Sequence, residues 1–313
     1  MPYQRFQSTT IIGAFQAFAS VLAIVCTLVL AMAGCAAGEP DDHGGDTPEF
    51  GQPVAARQSL RVLDNTGFTI GYDGKRRQAA WVAYRLGPIG ARQYLPRPSF
   101  EADPRLPTPA PLARYAGPDY DRGHLAPNYA ISQLYGEAGQ RQTFYYSNVA
   151  PQRPRLNQLV WQRLEEIEID EIAPRVGALW VIVGPIPAAP GQPPVAFFRL
   201  WIARDGQGGW QALAFRVGQS VRGDERLDAF IVPIDRIEAE TGLDFLPELS
   251  TARQAAIEGH AAPASTFGFA PLACQPARYS RRWQDRDGIR LRYDRCANPA
   301  ETPAGRAGRR KDH

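Results

Sequence analysis

An acid, a guanidinium, a glycine and an imidazole stand in succession at Asp121-Arg122-Gly123-His124. An imidazole with an ordinary pKa near ~6.5 can take a proton from water at neutral pH. Arginine presents a planar fork of donors that matches phosphate oxygens. Hydrolysis of a phosphodiester needs both functions, plus help for the departing oxygen. Four residues alone also fit a charged surface turn, in which Asp121 braces the backbone by pairing with an arginine. A serine hydrolase using His124 finds no support, because no Gly-x-Ser-x-Gly elbow occurs.

The cluster belongs to a longer ordered run. Tyr120 to Asn128 (YDRGHLAPN) is followed by Phe144 to Gln152 (FYYSNVAPQ), and then by Leu156-Asn157-Gln158, Trp161 and Leu164-Glu165. Together these resemble the DNA/RNA non-specific endonuclease family, the ββα-metal or His-Me finger nucleases with a DRGH motif. Upstream, Arg97-Pro98-Ser99-Phe100 with Asp103-Pro104 resembles the family's arginine segment, and Ile237 to Leu249 resembles its closing helix and turn. The likeness runs from about Leu60 to Ser250.

The resemblance implies roles. His124 is the general base, and Arg97 and Arg122 clamp the charge of the transition state. Asn157 is the one direct protein ligand of a single Mg²⁺, with Mn²⁺ as the alternative ion, and Glu165 holds some of its waters. Asn148 helps to position the site, and Gly123 belongs to the motif's structure. The substrates are DNA and RNA, cut to 5′-phosphorylated fragments, and a homodimer is compatible with the family. Many members carry a further basic residue one to two turns beyond the glutamate. Here Glu166, Glu168 and Asp170 occupy that region, so weaker binding of a long duplex is expected. The rival reading is a catalytically weak nucleic-acid-binding lipoprotein that retains the fold.

The elements that must carry these groups are short. Phe68 to Tyr72, a turn at Asp73-Gly74 and Ala79 to Leu86 read as a hairpin. A Pro-rich irregular passage covers Gly87 to Pro118. Leu156 to Ile172 has apolar residues near a 3.6 period and reads as the best helix, entered after Pro154 and stopped by Pro174. Strands are expected at Leu179 to Val183, Ala196 to Ile202 and Trp210 to Phe215, then a helix from Asp235 to Thr241 ended by Gly242. Strands and helices without regular βαβ alternation argue α+β, with a central antiparallel sheet flanked by helices as the family fold implies.

Outside that domain, here 58–258, lie four segments. Residues 1–35 hold an apolar stretch from Ile11 to Cys35 behind Arg5, a secretion signal or single anchor. Ala31-Met32-Ala33 fits ordinary signal cleavage, and Met32-Ala33-Gly34-Cys35 resembles a lipoprotein box that would lipidate Cys35. Each ending exports the body, to the periplasm, the outer membrane or the medium. Residues 36–57, acidic and rich in Gly and Pro, read as a tether that includes His43. In 259–300 the two remaining cysteines, Cys274 and Cys296, read as one disulfide worth roughly 3 kcal/mol, against a weaker metal-site reading.

Between those cysteines seven arginines face three aspartates, interleaved with Tyr279, Trp283 and Tyr293. That suits either a single-strand-binding surface or a hairpin, turning at Asp287-Gly288, that covers a sheet edge. The tail 301–313 reads as basic and disordered. Formal net charge is +3, and of 35 basic residues only Lys75 and Lys311 are lysines. This arginine excess is compatible with phosphate binding, but a GC-rich genome alone would produce the same bias. With 44% hydrophobic and 21% charged residues, the chain is neither disordered nor multi-spanning.

Overall fold

The structure, a computed structural model, describes residues 48–107 and 119–287. The leader with Cys35, His43 in the expected tether, Cys296 and the basic tail lie outside the described residues.

Ten strands and five main helical elements follow one another. Strands β1 (Val54–Ala55), β2 (Arg61–Asn65), β3 (Phe68–Asp73) and β4 (Gln78–Leu86) come first. Then β5 (Asp121–His124) leads into α1 (Asn128–Thr143), which is broken at Gly136, and β6 (Val149–Gln152) follows. A long helical run, α2, covers 156–176 in four stretches. Leu156–Trp161 and Glu168–Ile172 are wound as wider π turns, and Gln162–Ile167 and Ala173–Val176 as α-helix. Strands β7 (Leu179–Ile186), β8 (Ala196–Arg204) and β9 (Trp210–Gly218) precede α3 (Ile234–Thr241), β10 (Leu243–Asp244), α4 (Thr251–Glu258) and α5 (Ser280–Asp287).

Six strands form one antiparallel sheet in the order β2-β3-β4-β7-β8-β9, the core of an α+β fold. Its period-two alternation separates two cores. In β8, Phe197 and Trp201 point to one face, and Phe198, Leu200 and Ile202 to the other. The first face packs on Leu156, Val160, Trp161, Leu164 and Ile167 of α2. The second packs on Ile234 and Ile237 of α3, with Phe245 and Phe50. Both faces are covered, so β8 reads as an almost unbroken apolar run. In the β3–β4 hairpin, Trp81 lies so close over Gly71 that an added Cβ would sit 2.2 Å from the indole.

Arg199 breaks the apolar run of β8 on the α2 face. It is fully buried and pairs with Glu168 of α2, itself 0% exposed, at 2.6 Å. Tyr84 Oη donates to the same carboxylate at 3.0 Å, as does Trp201 Nε1. Arg199 also reaches Glu165 at 3.3 Å and lies 4.3 Å from the centre of the Trp161 ring.

Several expectations change. Pro174 does not stop α2: it lies in the first turn of its final stretch, where a missing N–H is harmless, and Gly177 at φ 75° ends the run. Helix α1 carries no strong apolar periodicity and was not expected. The segment read as tether is packed from residue 48. Phe50 is 1% exposed against Trp180 and Trp210, and β1 pairs with β10. The C-terminal extension is likewise part of the core. Arg163, 1% exposed, donates to the carbonyls of Ala273, Gln275 and Glu225, while Phe267, Phe269 and Trp283 are buried. Finally, 280–287 is helix α5, not the arm of a hairpin turning at Asp287-Gly288.

Removing one partner of a buried ion pair leaves the other charge uncompensated. Glu168→Ala is therefore expected to lower stability in urea denaturation by about 3–5 kcal/mol. Glu168→Gln, which keeps an acceptor for Tyr84 and Trp201, should cost less.

Candidate active site

Strands β5 and β6 form a separate two-stranded antiparallel ribbon that pairs Asp121 with Gln152, Gly123 with Ala150 and His124 with Val149. Gly123 is required by close packing: a Cβ there would meet the buried Gln152 side chain at 2.1 Å. The ribbon and the start of α2 together make a β-β-α unit.

Asn148, 0% exposed, locks the chain as it leaves β5. Its Oδ1 accepts the Ala126 N–H at 2.9 Å, and its Nδ2 donates to the carbonyls of Ala126 and Thr143 at 3.0 and 2.9 Å. With all these contacts made to backbone, Asn148 acts by holding the loop after His124. An aromatic cluster holds the ring itself. Phe144 meets His124 edge-on at 4.7 Å, and Phe100 lies 5.2 Å away. The same rings carry the arginines, Arg97 over Phe144 at 5.2 Å and Arg122 over Phe100 at 5.4 Å, with both guanidiniums exposed. Cation–π contact orients the heads while leaving their N–H donors for a ligand.

A cleft of about 690 Å³ brings together Arg97, Arg122, His124, Asn157 and Glu165. His124 is partly exposed at the cleft edge, but its Nε2 is buried and has no hydrogen-bond partner. Burial, with the positive charge of Arg97, pushes its pKa down to about 3. The ring is neutral at physiological pH and able to accept a proton.

Asp121 departs from its expected arginine pairing. Its Oδ2 accepts Asn157 Nδ2 at 2.8 Å and Gln158 Nε2 at 2.6 Å. A carboxylate only accepts, so the amide of Asn157 must present its NH₂ to Asp121 and keep Oδ1 for another ligand. A hard oxygen oriented in this way suits a magnesium-sized cation. Burial pushes the Glu165 pKa up to about 8; Glu168 and Glu166 add to the rise and Arg199 opposes it. A cation entering the cleft would favour the charged form.

The acids beyond Glu165 do not crowd the cleft with unpaired charge. Glu168 turns inward to Arg199, and Asp170 meets Arg92 and Arg278. Glu166 accepts the Arg278 N–H at 3.1 Å. Pairing offsets the charge of these three acids without putting a basic side chain in their place on α2. Arg278, Tyr279, Arg282 and Trp283, all in or just before α5, line the same cleft, and Arg278 lies 5.0 Å from the centre of the Tyr129 ring.

Sequence reasoning missed three contributors: the Phe100–Phe144 platform, Gln158 on Asp121, and Arg199 behind Glu165. Phe100, Phe144 and Gln158 stood within the motif segments without a role assigned, and Arg199 was legible as the one charge within Ala196 to Ala203.

The depressed pKa of His124 has a thermodynamic sign. Between pH ~6.5 and about 3 the unfolded chain binds a proton there that the folded chain does not, so this residue makes stability fall as pH drops through that window. Urea midpoints at pH 7.5 and 4.5 should show His124→Gln losing on the order of 1–2 kcal/mol less than the wild type on acidification.

Comparison with known proteins agrees with this geometry. Residues 44–252 match the model of the DNA/RNA non-specific endonuclease family. The chain is 32% identical over 248 residues to mitochondrial endonuclease G of Bos taurus, covering 71% of this chain and 80% of that one. It is 26% identical to a nuclease of Nostoc sp., covering 67% and 83%. The fold is similar to a solved structure described as the EndoG/EndoGI complex (TM-score 0.57, 20% identity, 67% of this chain and 93% of that one). The chain belongs to the DNA/RNA non-specific endonuclease family and is a nuclease.

Proposed function

We propose that the cleft hydrolyses phosphodiester bonds of DNA and RNA without sequence preference, leaving 5′-phosphorylated ends. The observation that carries this reading is the unpartnered, buried Nε2 of a neutral His124 in one cleft with Arg97, Arg122 and Asn157. His124 takes a proton from the attacking water. Phe144, Phe100 and the Asn148 lock keep the ring from turning away. Arg97 and Arg122 receive the non-bridging oxygens, and their charge counts most when the phosphate is most negative. Asn157 Oδ1, set by Asp121, would hold Mg²⁺ or Mn²⁺, with Glu165 steadying its waters. When bound, such an ion polarises the phosphate and stabilises charge on the departing oxygen.

Arg278, Arg282 and the exposed ring of Tyr279 extend the cleft with what a single strand binds, guanidiniums for phosphate and an aromatic face for base stacking. The same proposal has the chain exported. The apolar leader supports this, with signal cleavage and lipidation at Cys35 both open, as does a disulfide at Cys274 that we assign to Cys296.

In plasmid nicking with Mg²⁺, His124→Ala is expected to lose about 10²–10⁴ in rate, and chelator should abolish cutting. Wild-type protein that binds DNA without cutting it under these conditions would refute the reading. On single-stranded substrate, Arg278→Gln with Arg282→Gln should raise KM and reduce the slope of log affinity against log salt by about 1–2. An unchanged slope would return those arginines to a purely structural role.

A further inference from the structure

On the face of the sheet opposite the catalytic cleft, four carboxylates gather where α3, β10 and α4 meet. Asp235 and Glu238 are three residues apart on α3 and so share one side of that helix. Glu258 ends α4, and Asp244 follows the turn at Gly242. One oxygen each of Asp235, Glu238 and Glu258 lies within 4.8 Å of the others. Glu258 is 4% exposed, and its Oε1 is buried with no hydrogen-bond partner; Asp244 Oδ1 is buried and unpartnered too.

Among the described residues none forms an ion pair with these four carboxylates, although Arg57 and Arg76 line the cleft beside Glu238 and Asp244. The groups that act on Glu258 are Glu238, Asp244 and Asp235, all negative, and burial with their repulsion pushes its pKa up to about 8. Arg216 of β9 and Arg236 of α3 are both spent on Glu240. A carboxylate buried among like charges is costly unless a cation joins them. Glu238 is meanwhile held in place, because its Oε1 accepts the Phe245 N–H at 2.9 Å.

We propose that Asp235, Glu238 and Glu258, with Asp244 beside them, form a calcium site separate from the catalytic centre. An all-oxygen, strongly anionic donor set selects a hard divalent cation. Calcium binds oxygens at ~2.3–2.6 Å, so two of its ligands can stand about 5 Å apart, whereas magnesium at ~2.1 Å spans only about 4.2 Å. The three oxygens lie within 4.8 Å of one another, inside the span of one calcium ion, and an all-protein carboxylate cage is one that calcium accepts and magnesium seldom occupies. Glu238 and Asp244 also line an open cleft of about 590 Å³, which offers a way in. Bound there, calcium ties α4 to α3 and to the β10 turn. Glu258 lies past residue 252, where the family match ends.

The test uses full-length Asn157→Ala protein, which lacks the catalytic metal ligand, stripped with chelator and then given calcium or magnesium alone. Calcium at about a hundredfold excess over its Kd should raise Tm by about 5 °C or more, and magnesium by less. Adding Glu258→Gln should abolish the calcium shift and raise the metal-free Tm, because it removes buried repulsion. Asp235→Asn, at an exposed position, should weaken calcium binding in titration calorimetry even if the Glu258 variant does not fold. An absent calcium shift, an equal magnesium shift, or a shift retained in either carboxylate variant would overturn the proposal.

Discussion

The pairing of Arg199 with Glu168, sealed between the central sheet and α2, is the contact on which the active site depends. Arg199 stands on β8 in the interior of the sheet, and Glu168 comes from the helical run that also carries Asn157 and Glu165. Two fully buried opposite charges hold a helix to a sheet in one register, because any slip leaves a charge in the core without its partner. Tyr84 and Trp201 complete the carboxylate's hydrogen bonds, so Glu168 is fully partnered, while Arg199 keeps its Nε buried without a partner and lies over the Trp161 ring. Arg199 also touches Glu165, so the contact that sets the helix sets the carboxylate beside the cleft as well.

Around that anchor the groups gathered in the candidate site are held by different kinds of force. His124 and the two arginines lie against aromatic rings, which fix direction without consuming hydrogen-bonding capacity. Asn157 is held by a hydrogen bond to Asp121 that determines which end of its amide faces outward. Asn148 works on backbone alone. Each functional atom is thereby left unengaged while its side chain is restrained, the condition for electrostatic catalysis without reorganisation. The π-wound turn at Leu156–Trp161 places Asn157 on the first exposed turn of a helix whose other face is core.

The C-terminal part shows how a family fold acquires an additional wall. Arg163 uses its guanidinium to capture three carbonyls, two of them in the extension, and so docks the segment that delivers α5 to the cleft. Arg278 then neutralises Asp170 and bonds Glu166, the acids that, read in sequence, seemed to oppose substrate.

Much of the site was legible before the fold was known. Asp121 to His124, Asn148, Asn157 and Glu165 fall in an ordered run whose residue types match one hydrolytic chemistry, and the strands β3, β4, β7, β8 and β9 follow from apolar runs punctuated by turns. What the sequence could not reveal depends on pairings across long separations. Asp121 choosing Asn157 over an arginine, Glu168 turning inward to Arg199, Phe50 packing on Trp210 and Glu258 joining Asp235 are each decided by which surfaces the folded sheet brings within a few ångströms. Residue type and local spacing determine which chemistry a side chain can perform. Whether its charge is paired, buried or free is set by the low-dielectric environment that only tertiary packing creates.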